Sequence, residues 1–273
     1  MPGLSATVRT TDGWGIEHAV LTVTDLSGRQ AAHATANAQG TVGTGDLAPG
    51  VYTAVVTAAG YLPVARTAQI GGVGGAELGE IVLEPEEGAI ELPPTGPWVI
   101  DPMHSTVQFA ARHLGISSIK GRFGEVQGRL DIARPVEQST VHAQISAGTI
   151  DTGIKMRDDH LRSAEFLDVD NHPTIDFVST GLVQRGSAEW TLDGELTLHG
   201  QRKPVSLEMT YGGYGPDPWG GTRAAFHAET QLRRDDFAIN YNAMVRAGVA
   251  AVGTTVKVEI DLQVVQGDRL PEM

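Results

Sequence analysis

The chain has 273 residues, 41% of them hydrophobic, a formal net charge of −13 and no cysteine. That length favours two domains over one. The charge excludes a phosphate-backbone partner, which needs a dense Lys/Arg face, and the missing cysteine excludes disulfides, thiolate nucleophiles and iron–sulfur ligation.

No stretch approaches the roughly eighteen apolar residues that span a bilayer, so no integral membrane segment is expected. Met1 through Thr7 lack a basic patch followed by an apolar run, from which a cytoplasmic location is expected. The first region, 1–84, then reads as short strands between turns. Leu21–Thr24 precede a turn signal at Asp25–Gly28, a second run continues through Ala34, and Leu47–Gly50 turn the chain into Val51–Val56. With no helical period, this spacing predicts a small β-sandwich of about seven strands. Gly71–Gly75 match no phosphate-binding glycine pattern and are expected to form a hairpin connection.

Gly28-Arg29-Gln30, followed by the run from Leu47 to Tyr61, resemble the transthyretin-like, carboxypeptidase regulatory-like sandwich. The resemblance implies a non-catalytic module beside another domain, with an unknown protein partner. The transthyretin fold also hosts a hydroxyisourate hydrolase, but His18 and His33 lack partners at a recognisable spacing. Residues 85–97 are rich in Pro and Glu, which predicts a stiff extended linker.

From residue 98 the pattern becomes strict alternation. Trp190, Leu192, Gly194, Leu196 and Leu198 share one face, and Val256, Val258, Ile260, Leu262 and Val264 alternate with polar residues. Strands are expected over 106–112, 121–133, 139–148, 173–184, 188–199, 204–212, 223–233 and 254–265. The fold class is therefore all-β: a sandwich, then an eight-stranded antiparallel barrel over 98–266 and a tail over 267–273. Met156–Phe166 interrupt the alternation as a short helix with Leu161 and Ala164 on one face.

At about eight strands a barrel interior is either filled by side chains or holds one ligand. Val107, Phe109, Val126, Leu130, Ile132 and Ile145 fall on the inward phase, as do Phe177, Leu196, Leu207, Met209 and Phe226. Ala111, Gly128, Ala143, Gly194 and Ala228 share that phase and leave volume for bulky neighbours or a ligand. Met156, Arg157, His160, Leu161 and Phe166 of the helix, with Phe237 and Tyr241, complete the candidate ligand-binding set. Arg157, Asp158, Asp159 and His160 have two readings: headgroup contacts at the barrel mouth, or polar bonds tying the helix to the rim.

His104 and Ser105 point to opposite faces of a strand and lack a nucleophile elbow, so they read as structural. His142, His199 and His227 fall on polar phases, while His113 and His172 lie near strand ends. No pair has metal-ligand spacing, so neither metal nor cofactor is expected.

A second resemblance covers 98–265. The segments Trp98–Phe109, His113–Ser117, Gly121–Phe123, Arg157–Leu161, Phe166–Val169, His172–Thr180, Gly194–Gly200, Lys203–Val205 and Arg233–Ile239 follow the order of a YceI-like domain. Ala238 stands where that pattern leads us to expect glycine. The resemblance implies a lipocalin-like barrel that sequesters a polyisoprenoid, such as a quinone or polyprenyl lipid. Non-enzymatic binding or transport of that lipid is the expected function. The alternatives are an enzyme acting on a prenyl or other apolar substrate in the barrel, and an interaction protein whose barrel is filled. A homodimer through an exposed barrel face is compatible with either architecture.

Overall fold

The computed structural model describes residues 3–71, 75–86, 91–217, 220–241 and 252–270. The chain divides into two compact units, residues 1–89 with 184–187 and residues 90–183 with 188–273. The first holds β1 (Leu4–Arg9), β2 (Val20–Asp25), β3 (Gln30–Thr35), β4 (Thr41–Gly43), β5 (Gly50–Thr57), β6 (Val64–Ile70) and β7 (Ala76–Val82). They form two sheets, β4-β1-β7 and β3-β2-β5-β6, with the β1–β7 pair parallel. Alternate residues such as Val8, Leu21, Val23, Ala54 and Val56 are buried in a common core, as a sandwich requires. The glycine run after β6 is not a hairpin, because β6 and β7 belong to different sheets. Its residues 72–74 lie outside the described residues.

The second unit continues with β8 (Gly96–Ile100), β9 (Thr106–His113), β10 (Ser117–Phe123), β11 (Val126–Ile132), β12 (Thr140–Ser146) and β13 (Ile150–Asp151). The single helix α1 (Lys155–Arg162) follows, then β14 (Thr174–Gln184), β15 (Glu189–Leu198), β16 (Gln201–Pro216), β17 (Thr222–Arg233) and β18 (Val252–Gln266). Eight strands close a ring in the order β18-β17-β16-β15-β14-β12-β11-β8, and β8 pairs back onto β18. The remaining three, β9, β10 and β13, branch from the same β18. Long β18 serves both, pairing Val264–Gln266 with β8 and Val256–Asp261 with β9.

Two expected elements differ in extent. The single strand anticipated over 121–133 is the pair β10 and β11. Phe123 and Val126 both line the interior, and residues three apart on one straight strand face opposite ways. The helix stops at Arg162 rather than Phe166. Ser163 is extended there, with φ −68° and ψ 169°, and Phe166 follows in a turn whose amide donates to the Ser163 carbonyl at 3.0 Å. The end of the expected linker is also no free spacer. The Glu91 carbonyl accepts from the Tyr211 hydroxyl, the Pro93 carbonyl from Arg134 and the Pro94 carbonyl from the Trp98 indole.

Glycines on neighbouring strands make room for two inward aromatic rings. A β-carbon at Gly121 would lie 2.4 Å from the Phe109 ring, and one at Gly194 would lie 2.3 Å from the Phe177 ring. Each ring thus covers a strand whose own side chain is missing, the arrangement called aromatic rescue.

Barrel closure is tied by buried charge. Arg223 of β17 donates to Asp101, in the break between β8 and β9, and to Asp217. His104 Nδ1 lies 2.7 Å from Asp101, and the Met103 amide donates to the same carboxylate. Burial acts to raise the Asp101 carboxyl, but hydrogen bonds from Arg223, His104 and Met103 outweigh it and hold the group below its ordinary value. Ser105 and Gln263 bond through the Ser105 hydroxyl at 3.1–3.3 Å, which gives the His104–Ser105 segment a structural role.

Three outcomes follow from these contacts. Gly194→Ala is expected to cost about 1–3 kcal/mol through overpacking against Phe177. Gly181→Ala, with only Asp193 Cβ at 4.0 Å, serves as the near-neutral control in thermal melts. Arg223→Met removes the guanidinium from two buried carboxylates and is expected to cost about 3–5 kcal/mol by denaturant titration. Because the folded Asp101 value lies below the unfolded one near 3.9, its contribution is complete above that pH and is lost as pH falls through the folded value. Asp101→Asn should therefore flatten the acid limb of a melting-point profile.

Candidate functional site

The barrel interior is solid at one end and hollow elsewhere. Trp98, Trp190 and Tyr211 are each at most 2% exposed and pack with Ile100 and Ile132 into a filled core, with Leu130 at its border with the cavity. Beyond them lies a cavity of about 260 Å³. The period-two faces supply its wall. Val107 and Phe109 come from β9, Val126 and Leu130 from β11, Ile145 from β12 and Phe177 from β14. Leu196 of β15, Leu207 and Met209 of β16, and Phe226 of β17 continue around the ring. Leu161, Phe166 and Phe237 close the wall from outside the strands. Ala111, Ala143 and Ala228 also line it, and the space in front of them is part of the hollow.

Five candidate residues lie elsewhere. Ile132 belongs to the filled core. Met156 is 81% exposed; with Leu161 turned to the cavity, a helical rotation of 100° per residue carries Met156 to the outer side. The Arg157 guanidinium donates to the Thr152 hydroxyl at 2.6 Å and to its carbonyl at 2.9 Å. Buried Asp158 accepts from the Thr152 amide at 2.9 Å. These bonds tie α1 to the end of β13, which is the rim-fastening role. His160 pairs with Glu165, and its ring meets Phe166 and Tyr241 edge-on at 5.0 and 4.9 Å. His160 and Tyr241 thus form a layer behind Phe166 rather than part of the lining.

Other lining residues were absent from the candidate set although their strand phase was readable: Leu192, Leu198, Val256, Val258 and Ile260. Phe123 was out of phase with Val126 only because 121–133 read as one strand, while Ile150 and Leu167 come from a two-residue strand and a turn, too short to carry a period. Among the described residues of the lining, the polar ones are Thr230 and Arg234.

Arg234 is 6% exposed and sits in the 3-10 turn after β17. Its guanidinium donates to the carbonyls of Gly253 (3.0 Å), Ile239 (3.1 Å), Tyr241 (2.6 Å) and Val252 (3.4 Å). The side chain thus binds the chain on both sides of residues 242–251, which lie outside the described residues. Only its place in an Arg-Arg-Asp-Asp-Phe run marked it in the sequence. Arg234→Met removes the guanidinium donor from these carbonyls and is expected to cost about 3 kcal/mol or more. It should also speed amide exchange at 239–241 and 252–253, whereas exposed Arg233→Met should stay within about 0.5 kcal/mol of wild type.

Comparison with known proteins places this barrel. The YceI-like domain profile matches residues 98–264. A UPF0312 protein of Vibrio cholerae is 35% identical over 162 residues, covering 59% of this chain and 80% of that protein. A UPF0312 protein of Pseudomonas putida is 37% identical over the same length and coverage. Among solved structures, BcnA of Burkholderia cenocepacia aligns with a TM-score of 0.53 at 19% identity, over 60% of this chain and 98% of that one. The YCEI protein of Campylobacter jejuni aligns with a TM-score of 0.50 at 20% identity, over 57% of this chain and 90% of that one. At such identities the structural likeness shows the shared fold. Through its second unit, the chain belongs to the YceI-like family.

Proposed function

We propose that this protein binds an isoprenoid lipid, a quinone or a polyprenyl chain, in the barrel cavity and carries it without chemical change. The observation that carries the reading is a preformed hollow whose described lining is apolar except for Thr230 and Arg234. Arg234 is committed to backbone carbonyls, and in α1 Asp158 bonds Thr152, Asp159 pairs with Lys155 and Arg162, and His160 pairs with Glu165. A general acid or base beside the ligand, which turnover of a prenyl substrate would need, has no counterpart among the described lining residues. The ordered motif resemblance supplies the ligand class. The N-terminal sandwich is read as a non-catalytic module.

The size of the hollow bounds what it holds. A cavity of about 150 Å³ accepts one benzene, so about 260 Å³ accommodates about ten carbons, or two isoprene units. At ~0.8 kcal/mol per buried carbon this supplies about 8 kcal/mol before association costs, which are themselves about 4–15 kcal/mol. A longer chain gains only if the cavity opens further or the tail continues out of it.

Organic extraction and mass spectrometry of the purified full chain should recover a prenyl lipid. Titration with prenyl alcohols should show affinity rising steeply to about ten carbons and more slowly beyond. Ala143→Phe fills the hollow and should weaken uptake at least tenfold while retaining a cooperative melt. Failure to extract or take up any prenyl compound would overturn the carrier reading.

A further inference from the structure

A second cluster lies beside the cavity wall, and none of its three residues is among the described lining. Asp168, His172 and His199 each present one ligand-type atom, and these atoms lie within 4.8 Å of one another. All three side chains are half-buried. His199 and Gly200 form the two-residue hairpin turn between β15 and β16, with φ of 50° and 70°. Such a turn favours Asn or Asp at its first position, and histidine is also among the residues that tolerate it. Asp168 is also left-handed, with φ 47°. Two non-glycine residues therefore hold an uncommon backbone conformation at one point, a pattern that concentrates at functional sites.

The surrounding bonds prepare the three groups as ligands. His199 Nδ1 lies 3.1 Å from the Phe237 carbonyl. A carbonyl only accepts, so Nδ1 carries a proton, which leaves Nε2 as the nitrogen of the neutral ring that can face a metal. Both Asp168 oxygens accept from Asn171 Nδ2, at 3.1 and 3.0 Å, which orients the carboxylate. The His172 ring meets the His199 ring edge-on at 5.2 Å. It also rests against Gly200, where a β-carbon would lie 2.7 Å from its Cε1. Glycine at 200 is thus needed twice, for the turn and for the imidazole.

We propose that Asp168, His172 and His199 bind a divalent late transition-metal ion of the zinc type. Two imidazoles and one carboxylate suit Zn²⁺, Co²⁺, Ni²⁺ or Cu²⁺ and disfavour Mg²⁺ and Ca²⁺, which take all-oxygen sites. Bonds near 2.1 Å place tetrahedral donors about 3.4 Å apart, so the side chains close onto an ion by about an ångström of rotation. Three protein ligands leave at least one position for water. The ion joins the segment after α1 to the β15–β16 turn. Leu167 and Leu198, the neighbours of Asp168 and His199, line the cavity, so the metal fastens that part of its wall.

The test uses the full chain, stripped with a chelator and dialysed against Zn²⁺ alone, with bound metal measured by mass spectrometry. One ion per chain is expected, together with a higher melting temperature. Co²⁺ in its place should give visible absorption bands of imidazole coordination. His172→Gln and His199→Gln should each weaken binding at least tenfold and remove those bands. His33→Ala, at an exposed site in the first unit, should change neither. Should either Gln variant fail to melt cooperatively, Asp168→Asn supplies the same readout. Fewer than about one ion per ten wild-type chains, or binding unchanged in the folded ligand variants, would overturn the site.

Discussion

The double pairing of β18 is the constraint on which the barrel depends. One end of this strand bonds to β8 and closes the eight-stranded ring, while its middle bonds to β9 and starts the branch. A closed sheet has no edge to satisfy and encloses whatever its inward residues leave unfilled. The chain between β8 and β9 must step sideways for both pairings to exist. That step is held by Asp101, whose carboxylate binds Arg223 across the sheet and the Met103 amide within the turn. Buried charges are costly unless paired and hydrogen-bonded, and here the paired arrangement exists only when the ring is shut.

Given closure, the division between filled and hollow interior is a matter of side-chain volume. Trp98, Trp190 and Tyr211 supply enough bulk to pack one end solid. Further along, Ala111, Ala143 and Ala228 occupy inward positions and offer little volume. Phe109 and Phe177 lean over Gly121 and Gly194, so their rings cover the sheet instead of filling the centre. The hollow is thus made by small residues in the wall and by aromatic rings laid against it.

Polar groups near this hollow are turned away from it. Arg157 and Asp158 fasten α1 to Thr152, Arg234 fastens two stretches of backbone, and the His172–His199 pair stands next to Leu198 without entering the lining. Among the described lining residues the polar ones, Thr230 and Arg234, already donate to backbone carbonyls, so a hydrocarbon chain can enter without leaving them unpaired. The wall's rigidity then comes from bonds made behind it.

Strand phase was legible in the sequence because a half-buried strand must alternate, and the alternation of Leu192 to Leu198 and of Val256 to Leu262 survived into the lining unchanged. The order of the YceI-like segments was equally plain, as was the seven-stranded first unit. Phase says which face is dry, but not how far along the strand the filling runs, so Ile132 joined the solid end while Val126 and Leu130 reached the cavity. Helix rotation decided between Leu161 and Met156. The approach of His199 to His172 and Asp168 depends on a turn closing against a segment about thirty residues earlier. Local side-chain pattern is a property of the chain, and the sequence determined it. Volume left empty and ligands drawn together from separate turns are properties of long-range closure, and only the tertiary structure decided them.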